Sequence, residues 1–362
     1  EMLHLIAKDG ASAFYSGPIA QNIVDAVHVG DIKGDLSLKD LADYRILQKP
    51  ALCGPFRDYR ICSAPPSSSG GVAMNQIMSL YDLISTASPD GTPEANLRDF
   101  VLAQQLGYAD RDHYVADPAA VTVPVADLLN PAYLKSRAAG GFKPGDAPLP
   151  GDPGAMLYNK PIIDMWGRDT NAAAPGTTQM SFVDFDGNAV SFTATVEGPF
   201  GSQRWTNGFL LNNQLTDFTR PPTLGGKMVA NAPGPGKRPR SSMAPTLVFD
   251  QGSGQLVMSA GSPGGALIIH YTAKTLHGVL HWGLLPQQAI NLPNFGATGA
   301  PTVLEEKRFP AATVEALKAR GHEVREMNMT SGLQAITRGQ AHGQALWWGG
   351  ADPRREGVVM GD

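Results

Sequence analysis

Pro175-Gly176-Thr177-Thr178-Gln179-Met180-Ser181-Phe182-Val183-Asp184-Phe185-Asp186-Gly187-Asn188-Ala189-Val190-Ser191-Phe192 lies in mid-chain. It holds two runs rich in Phe, Val and hydroxyl residues. They meet at Asp186-Gly187, a pair that tolerates the positive φ of a tight turn, so the stretch reads as a β-hairpin. Ahead of it runs Ala172-Ala173-Ala174-Pro175-Gly176, small and breaker-rich, which puts the start of the first strand at Thr177. A hydroxyl residue heading a strand behind such a segment suits a chain that cuts itself before that residue and then uses the new α-amine as the base for its hydroxyl. The plainer reading is an ordinary hairpin in which Thr177 is only a β-former.

Working outward, the chain has 362 residues, enough to bury a substantial core as one large α/β domain or as two lobes. Formal net charge is -4 with no long run of one sign, which points to neither nucleic acid nor a membrane surface. The 41 Gly and 29 Pro follow no period, which argues for a loop-rich enzyme over a fibrous or disordered chain. No apolar run reaches the length of about 18 residues that a spanning helix needs. The start, Glu1-Met2-Leu3-His4-Leu5-Ile6, has no basic segment, apolar core or small-residue cleavage site. The expectation is a cytoplasmic protein or a sequence that begins after its targeting segment.

Cys53 and Cys62 are the two cysteines. If Arg57-Asp58 is a two-residue turn, Phe56 pairs with Tyr59 and Cys53 falls opposite Cys62 in a non-hydrogen-bonded pair, the closer kind. A cross-strand disulfide is then sterically possible in an oxidising compartment, and two unpaired strand thiols are the alternative.

Helical spacing appears over Gly17 to Val29, Val72 to Ile84, Asn96 to Val115 and Ala266 to Leu284. Ser37-Leu38-Lys39-Asp40 resembles a capping box before a short helix. Leu134 to Gly176 is dominated by Gly, Pro, Ala and Asp and reads as a linker or long surface loop. Pro221 to Gly236 is a second such loop, with the composition of a lid. The end of the chain reads as a helix from Ala311 to Gly321 followed by strands.

Other stretches carry possible chemistry. Ser67-Ser68-Ser69-Gly70-Gly71 opens a helix and could cradle an anion, but it lacks the Lys of a phosphate loop, so capping is the simpler reading. Asp110-Arg111-Asp112-His113-Tyr114 reads as a solvated or salt-bridged face, because neighbours on a helix point in different directions. His270, His277 and His281 share a helical face; with no carboxylate beside them, packing outweighs metal binding. Gly261-Ser262-Pro263-Gly264-Gly265 joins a strand to a helix, where successive glycines expose backbone N–H groups as an oxyanion hole requires.

Six motifs in order resemble the γ-glutamyltransferase (γ-glutamyltranspeptidase, glutathione hydrolase) family of N-terminal-nucleophile hydrolases, from about Phe14 to the C-terminus. They are Pro65 to Gly71, Thr177-Thr178 with Ser181 and Val183-Asp184, and Leu211-Asn212-Asn213-Gln214 with Asp217-Phe218. Lys237-Arg238-Pro239 with Ser241-Ser242-Met243, Gly261 to Gly265, and Asp352-Pro353-Arg354 complete the set.

The resemblance implies an α+β fold, the four-layer αββα sandwich, and cleavage between Gly176 and Thr177. Residues 1–176 would be the C-terminal portion of the large subunit, ending in the pre-cleavage linker. Residues 177–362 would be the small catalytic subunit, the two forming one globular unit. Thr177 would form a γ-glutamyl ester, its α-amine acting as general base. Thr195 matches the threonine that orients the nucleophile, and Gly264 and Gly265 match the oxyanion-hole pair. Gln214 and Asp217 match the residues that hold the substrate's α-amino group, and Ser241 and Ser242 those that bind its α-carboxylate. No cofactor and no metal are implied. The expected partners are a γ-glutamyl substrate such as glutathione and an amino-acid, peptide or water acceptor. No nucleic acid and no membrane span are expected, and the family's location is periplasmic or extracellular.

Three departures stand out. Gln179 replaces the usual His beside the nucleophile pair. Glu197 stands near the glutamyl pocket where Asn or Ser is common; a second acid there favours an amine and repels a carboxylate, as a related acylase of cephalosporin or glutaryl amides would use. The family's large subunit begins upstream of what Glu1 matches, and the Arg that clamps the α-carboxylate lies in that part. The chain is therefore expected to be a fragment, and a catalytically silent, uncut chain is the third reading.

Overall fold

Phe56 and Tyr59 face each other across an Arg57-Asp58 turn, with Arg57 at a φ of 54°, and this pairing fixes β1 (Leu52–Phe56) and β2 (Tyr59–Ser63). The ladder carries Cys53 opposite Cys62, and the two sulfurs form a disulfide. The register counted from the turn is the one observed. This computed structural model describes residues 2–85, 97–140, 148–171, 176–319, 321–341 and 344–361. Asn96 and the run Ala172 to Pro175 lie outside the described residues. Two units make up the chain, Glu1–Pro50 with Thr195–Gln214, and Ala51–Ala194 with Leu215–Asp362.

In the larger unit β1 and β2 are followed by the hairpin strands β3 (Thr177–Val183) and β4 (Ala189–Thr195). Next come β5 (Thr246–Asp250), β6 (Leu256–Gly261), β7 (Gln334–Ala341) and β8 (Gln344–Ala351). Six of these form an antiparallel sheet in the order β1-β2-β5-β6-β7-β8. Three helices, α1 (Gly70–Ile84), α2 (Leu97–Tyr114) and α3 (Ile268–Leu280), build the core with it. Ile77 and Tyr81 of α1, Phe100 of α2, and Ile269 and Leu276 of α3 are buried in one cluster with Met258 and Ala260 of β6.

Period-2 alternation puts the intervening β6 residues on the other face. Ser259 there donates to the carbonyl of Val190 at 3.4 Å, and a side chain on Gly261 would meet Gln179 at 2.5 Å. The β3-β4 hairpin therefore lies against the sheet face opposite the helices. Helices, six-stranded sheet and hairpin are three of the four layers of the expected αββα sandwich.

The hairpin turn is one residue longer than a two-residue loop. Gly187 donates to the Asp184 carbonyl at 3.1 Å and takes a φ of 84°, and Asp184 donates to the Asn188 carbonyl at 2.9 Å. This is a turn closed by a glycine bulge, so the Asp-Gly signal marks it correctly.

The described residues between Leu134 and Gly176 hold more helix than their composition indicates. Pro131–Ala139 and Pro153–Tyr158 are helical, and Asp152 caps the second by accepting from Ala155 at 2.9 Å and from Ile162 and Ile163 at 3.1 Å. Val324–Met327 is the first of the strands read after the Ala311 helix; its parallel pairing with Thr302–Glu305, which pairs in turn with Phe295–Gly296 in a small three-stranded sheet, goes beyond the sequence reading.

In the smaller unit the helices Met2–Asp9, Gly17–Val27 and Leu38–Asp43 accompany a short strand pair, Trp205–Thr206 with Phe209–Leu210. The Ser37 capping box is present: Asp40 donates its amide to the Ser37 hydroxyl, and Ser37 donates to the Asp40 carboxylate at 2.8 Å. Asn22 and Asn207 bond side chain to side chain at 2.9 Å. No helix among the described residues is long and apolar enough to cross a membrane.

Candidate active site

Thr177 is the first residue of β3 and is buried at 7 % exposure. Alternation turns Thr177 and Gln179 inward and Thr178 and Met180 outward. Gln179 is a junction. It accepts from the Thr193 hydroxyl and donates to the Ser191 hydroxyl at 3.0 Å. Ser191 in turn donates to the Ala260 carbonyl at 2.9 Å and accepts from the Thr246 amide at 3.1 Å. One polar chain thus ties β3 and β4 to β5 and β6.

β6 ends at Gly261, and the chain turns through Gly264 (φ 142°) and Gly265 (φ 57°) into α3. Both conformations favour glycine, and a side chain on Gly264 would stand 2.6 Å from the Tyr271 ring. Arg355 links this turn to the strand head: it donates to the Thr177 carbonyl at 3.3 Å and lines the same cavity as Gly264.

Ser241 and Ser242 are clasped to the Ser-Gly run that precedes α1. Ser69 donates both its amide and its hydroxyl to the Ser241 carbonyl at 2.8 Å, and Ser68 donates to the Met243 carbonyl at 2.6 Å. Ser69 makes no side-chain cap on α1, its hydroxyl spanning instead to a segment distant in sequence, and the capping expected of this run comes from Ser68, whose hydroxyl accepts the Gly70 amide at 3.2 Å. Arg111 reaches both groups, donating Nε to Ser69 at 2.9 Å and Nη2 to Ser242 at 2.5 Å.

The Asp110 to Tyr114 stretch is salt-bridged but not solvated. Asp110 and Arg111 are buried, Arg111 pairs with Asp112 at 2.6 Å, and Asp110 accepts from Tyr133 and Gly151, each at 2.8 Å. Arg240 pairs with Asp169 at 2.9 Å; burial first, then the charge of Arg111, pushes its guanidinium down to about 10. Asn231 bonds both this Asp169 and the carbonyl of Asp217, a buried residue of the Gln214–Asp217 turn. Arg111 and Arg355 are the positions that spacing does not reveal. Their partners come from elsewhere in the chain, and only the fold supplies them.

In the smaller unit Thr195 accepts the Glu197 amide at 2.7 Å. Glu197 is buried, sits at a φ of 74°, and takes a bond from the Asn213 side-chain amide. Asn213 also accepts from Gly198 at 2.8 Å, and the Gln214 amide donates to Asn212 at 2.9 Å. Of the residues singled out by sequence, Thr177, Asp217, Ser241, Ser242, Gly264 and Gly265 belong to the larger unit, and Thr195, Glu197 and Gln214 to the smaller.

The helical histidines pack. His270 lies 4.5 Å from the Tyr108 ring, and His277 sits among Tyr81, Phe100 and Trp282. Burial pushes both imidazoles down to about 3. Among the described residues no group of His, Cys, Asp and Glu side chains is arranged to hold a metal.

A family model described as Gamma-glutamyltranspeptidase matches residues 1–362. A glutathione hydrolase proenzyme of Escherichia coli (strain K12) is 34% identical over 366 residues, covering 97% of this chain and 59% of its own length. The acylase ACY 1 proenzyme of Pseudomonas sp. (strain SE83) is 31% identical over 355 residues, covering 95% of this chain and 58% of its own. In structure, a cephalosporin acylase from Bacillus halodurans aligns with a TM-score of 0.80 at 24% identity, over 99% of this chain and 61% of that one. The likeness extends to the α+β sandwich. The chain spans about three fifths of the length of these relatives.

Proposed function

The chain belongs to the γ-glutamyltranspeptidase family, and from that premise we propose that it hydrolyses and transfers γ-glutamyl groups, after cleavage at Gly176-Thr177. The observation that carries this is the seat of Thr177. It is buried at the head of a strand laid across β6, and the strand β6 itself leads into the Gly264-Gly265 turn.

In this reading the freed α-amine, titrating at about 8, takes the proton of the Thr177 hydroxyl. Oγ1 then attacks the γ-carbonyl, and the Gly264 and Gly265 amides stabilise the oxyanion. Collapse expels the amine, which takes up the proton, and leaves a γ-glutamyl ester that water or an acceptor amine resolves. Ser241 and Ser242 would receive the α-carboxylate, with Arg111 holding Ser242 in place. Gln214 and Asp217 would receive the α-amine, and Thr195 would orient the nucleophile. Glutathione is the expected donor. Residues 1–176 and 177–362 would then be the two products of one precursor. The disulfide favours an oxidising location, periplasmic or extracellular.

Glu197 favours a second reading. A buried carboxylate at this position suits an acylase that accepts other amides, and an acylase is among the relatives. Turnover of γ-glutamyl-p-nitroanilide against a glutaryl anilide separates the two. Release from the first at a rate above the second supports γ-glutamyl transfer, and release from the glutaryl compound alone overturns it.

A further inference from the structure

The Asp169 side chain is fully buried in the larger unit, and its carboxylate gathers segments that are far apart in sequence. Arg240 donates Nη2 to it at 2.9 Å, Asn231 its side-chain amide at 3.0 Å, Asn171 its backbone amide at 2.8 Å, and Thr219 its hydroxyl. Thr219 and Arg240 stand on either side of the Pro221 to Gly236 loop and Asn231 lies within it. One carboxylate therefore draws the base of that loop together.

Two further sets of bonds carry this anchor to the candidate site. On one side Asn231 donates to the Asp217 carbonyl at 2.8 Å, and Asn171 donates to the Thr216 and Phe218 carbonyls at 3.0 and 3.1 Å. On the other, Arg240 also pairs with Asp112 of α2 at 3.4 Å, and Asp112 pairs with Arg111, which donates to Ser242 at 2.5 Å. Arg111 and Arg240 thus balance Asp112 and Asp169 in one buried group. A neutral residue at 169 would leave a surplus positive charge there, away from water. Burial by itself would raise the Asp169 carboxyl, but the Arg240 charge and the bonds from Thr219, Asn171 and Asn231 outweigh it and hold the carboxyl below its ordinary value.

We propose that Asp169 is a positioning residue for recognition of the substrate's amino-acid head. It sets the Asp217 turn and Ser242 at the spacing that an α-amine and an α-carboxylate on one carbon require. The proposal rests on the assignment of Asp217 and Ser242 to the glutamyl head. Thr177 is held by its own strand and by Arg355, so the loss of Asp169 falls on binding rather than on the chemical step.

L-Glutamate and glutarate differ by the α-amine, and so do γ-glutamyl-p-nitroanilide and glutaryl-p-nitroanilide. Calorimetry with the two free acids reads binding to the whole chain without turnover, and release of p-nitroaniline from the two anilides reads use. The parent chain is expected to prefer L-glutamate over glutarate roughly tenfold or more. Asp169→Asn should bring that ratio close to one and raise KM for γ-glutamyl-p-nitroanilide about tenfold, with kcat changed less than about threefold. Thr219→Val removes one bond at nearly constant volume and should lower the same ratio about threefold, which keeps the test open if Asp169→Asn does not fold. A parent chain with no preference for L-glutamate, a loss confined to kcat, or a ratio unchanged in Asp169→Asn (in Thr219→Val where the first variant does not fold) overturns the role of Asp169. Selective binding of L-glutamate that the variant loses, with no turnover of any donor, supports that role and counts instead against the proposed acyl transfer. Turnover of γ-glutamyl-p-nitroanilide with the preference intact in the variant does the reverse.

Discussion

The two faces of the β3-β4 hairpin are opposite in character to those of an ordinary surface hairpin. The face against the sheet carries Thr177 beside Gln179, Ser191 and Thr193, and the last three are joined through Gln179 by hydrogen bonds that reach on from Ser191 to β5 and β6. The outward face carries Met180, Phe182, Val190 and Phe192, all exposed at 40 % or more. An apolar face this size in water is unusual and marks a place built for contact. Directional bonds fix strand geometry more tightly than apolar packing does, so the polar face is the one that can hold a reacting hydroxyl in place.

The largest expected effect falls on the inner face. Gln179→Ala leaves the Thr193 hydroxyl without the acceptor it donates to and removes one of the two bonds that Ser191 accepts, and should cost about 1–2 kcal/mol in urea unfolding. It should also lower kcat about 100-fold with little change in KM, because the nucleophile is misplaced while the substrate contacts remain. A loss confined to KM would mean that Gln179 serves binding and would undo the contrast.

A smaller effect is expected behind the sheet, where His277 is buried among aromatic rings and its nitrogens find no hydrogen-bond partner among the described residues. Burial holds its folded value near 3, below the ordinary value of about 6.5. The unfolded chain then binds the extra proton between those limits, so this contribution to stability is whole above pH ~6.5 and is lost as pH falls toward 3. His277→Phe should flatten the acid side of a stability-pH curve. An unchanged slope would show that the imidazole titrates freely.

The smallest effect belongs to the outward face. Phe182→Thr with Phe192→Thr should move stability by no more than about 0.5 kcal/mol, while reducing binding of a hydrophobic dye. A cost above about 2 kcal/mol would show that these rings are covered in the folded chain.

Much of this was legible in sequence where the signal is local. Asp186-Gly187 marked the hairpin, counting from Arg57-Asp58 placed Cys53 opposite Cys62, and Ser37 announced its capping box. Gly264 and Gly265 were singled out for their backbone, and both take glycine conformations. What stayed hidden depends on distant partners. Arg111 is buried because Ser69 and Ser242 arrive from 42 and 131 residues away. The Pro131–Ala139 helix docks through Tyr133 onto Asp110, which composition alone could not show. The parallel pairing of Thr302–Glu305 with Val324–Met327 joins strands separated by a helix.

The central claim is that Thr177 is placed to cut the chain and then to act as nucleophile. Intact mass spectrometry of the purified chain over a long incubation tests it most directly, with Thr177→Ala beside it. The expected result is a new fragment beginning at Thr177 in the parent chain and none in the variant. A parent chain that stays whole, or a Thr177→Ala chain that is cut at the same bond, would contradict the account.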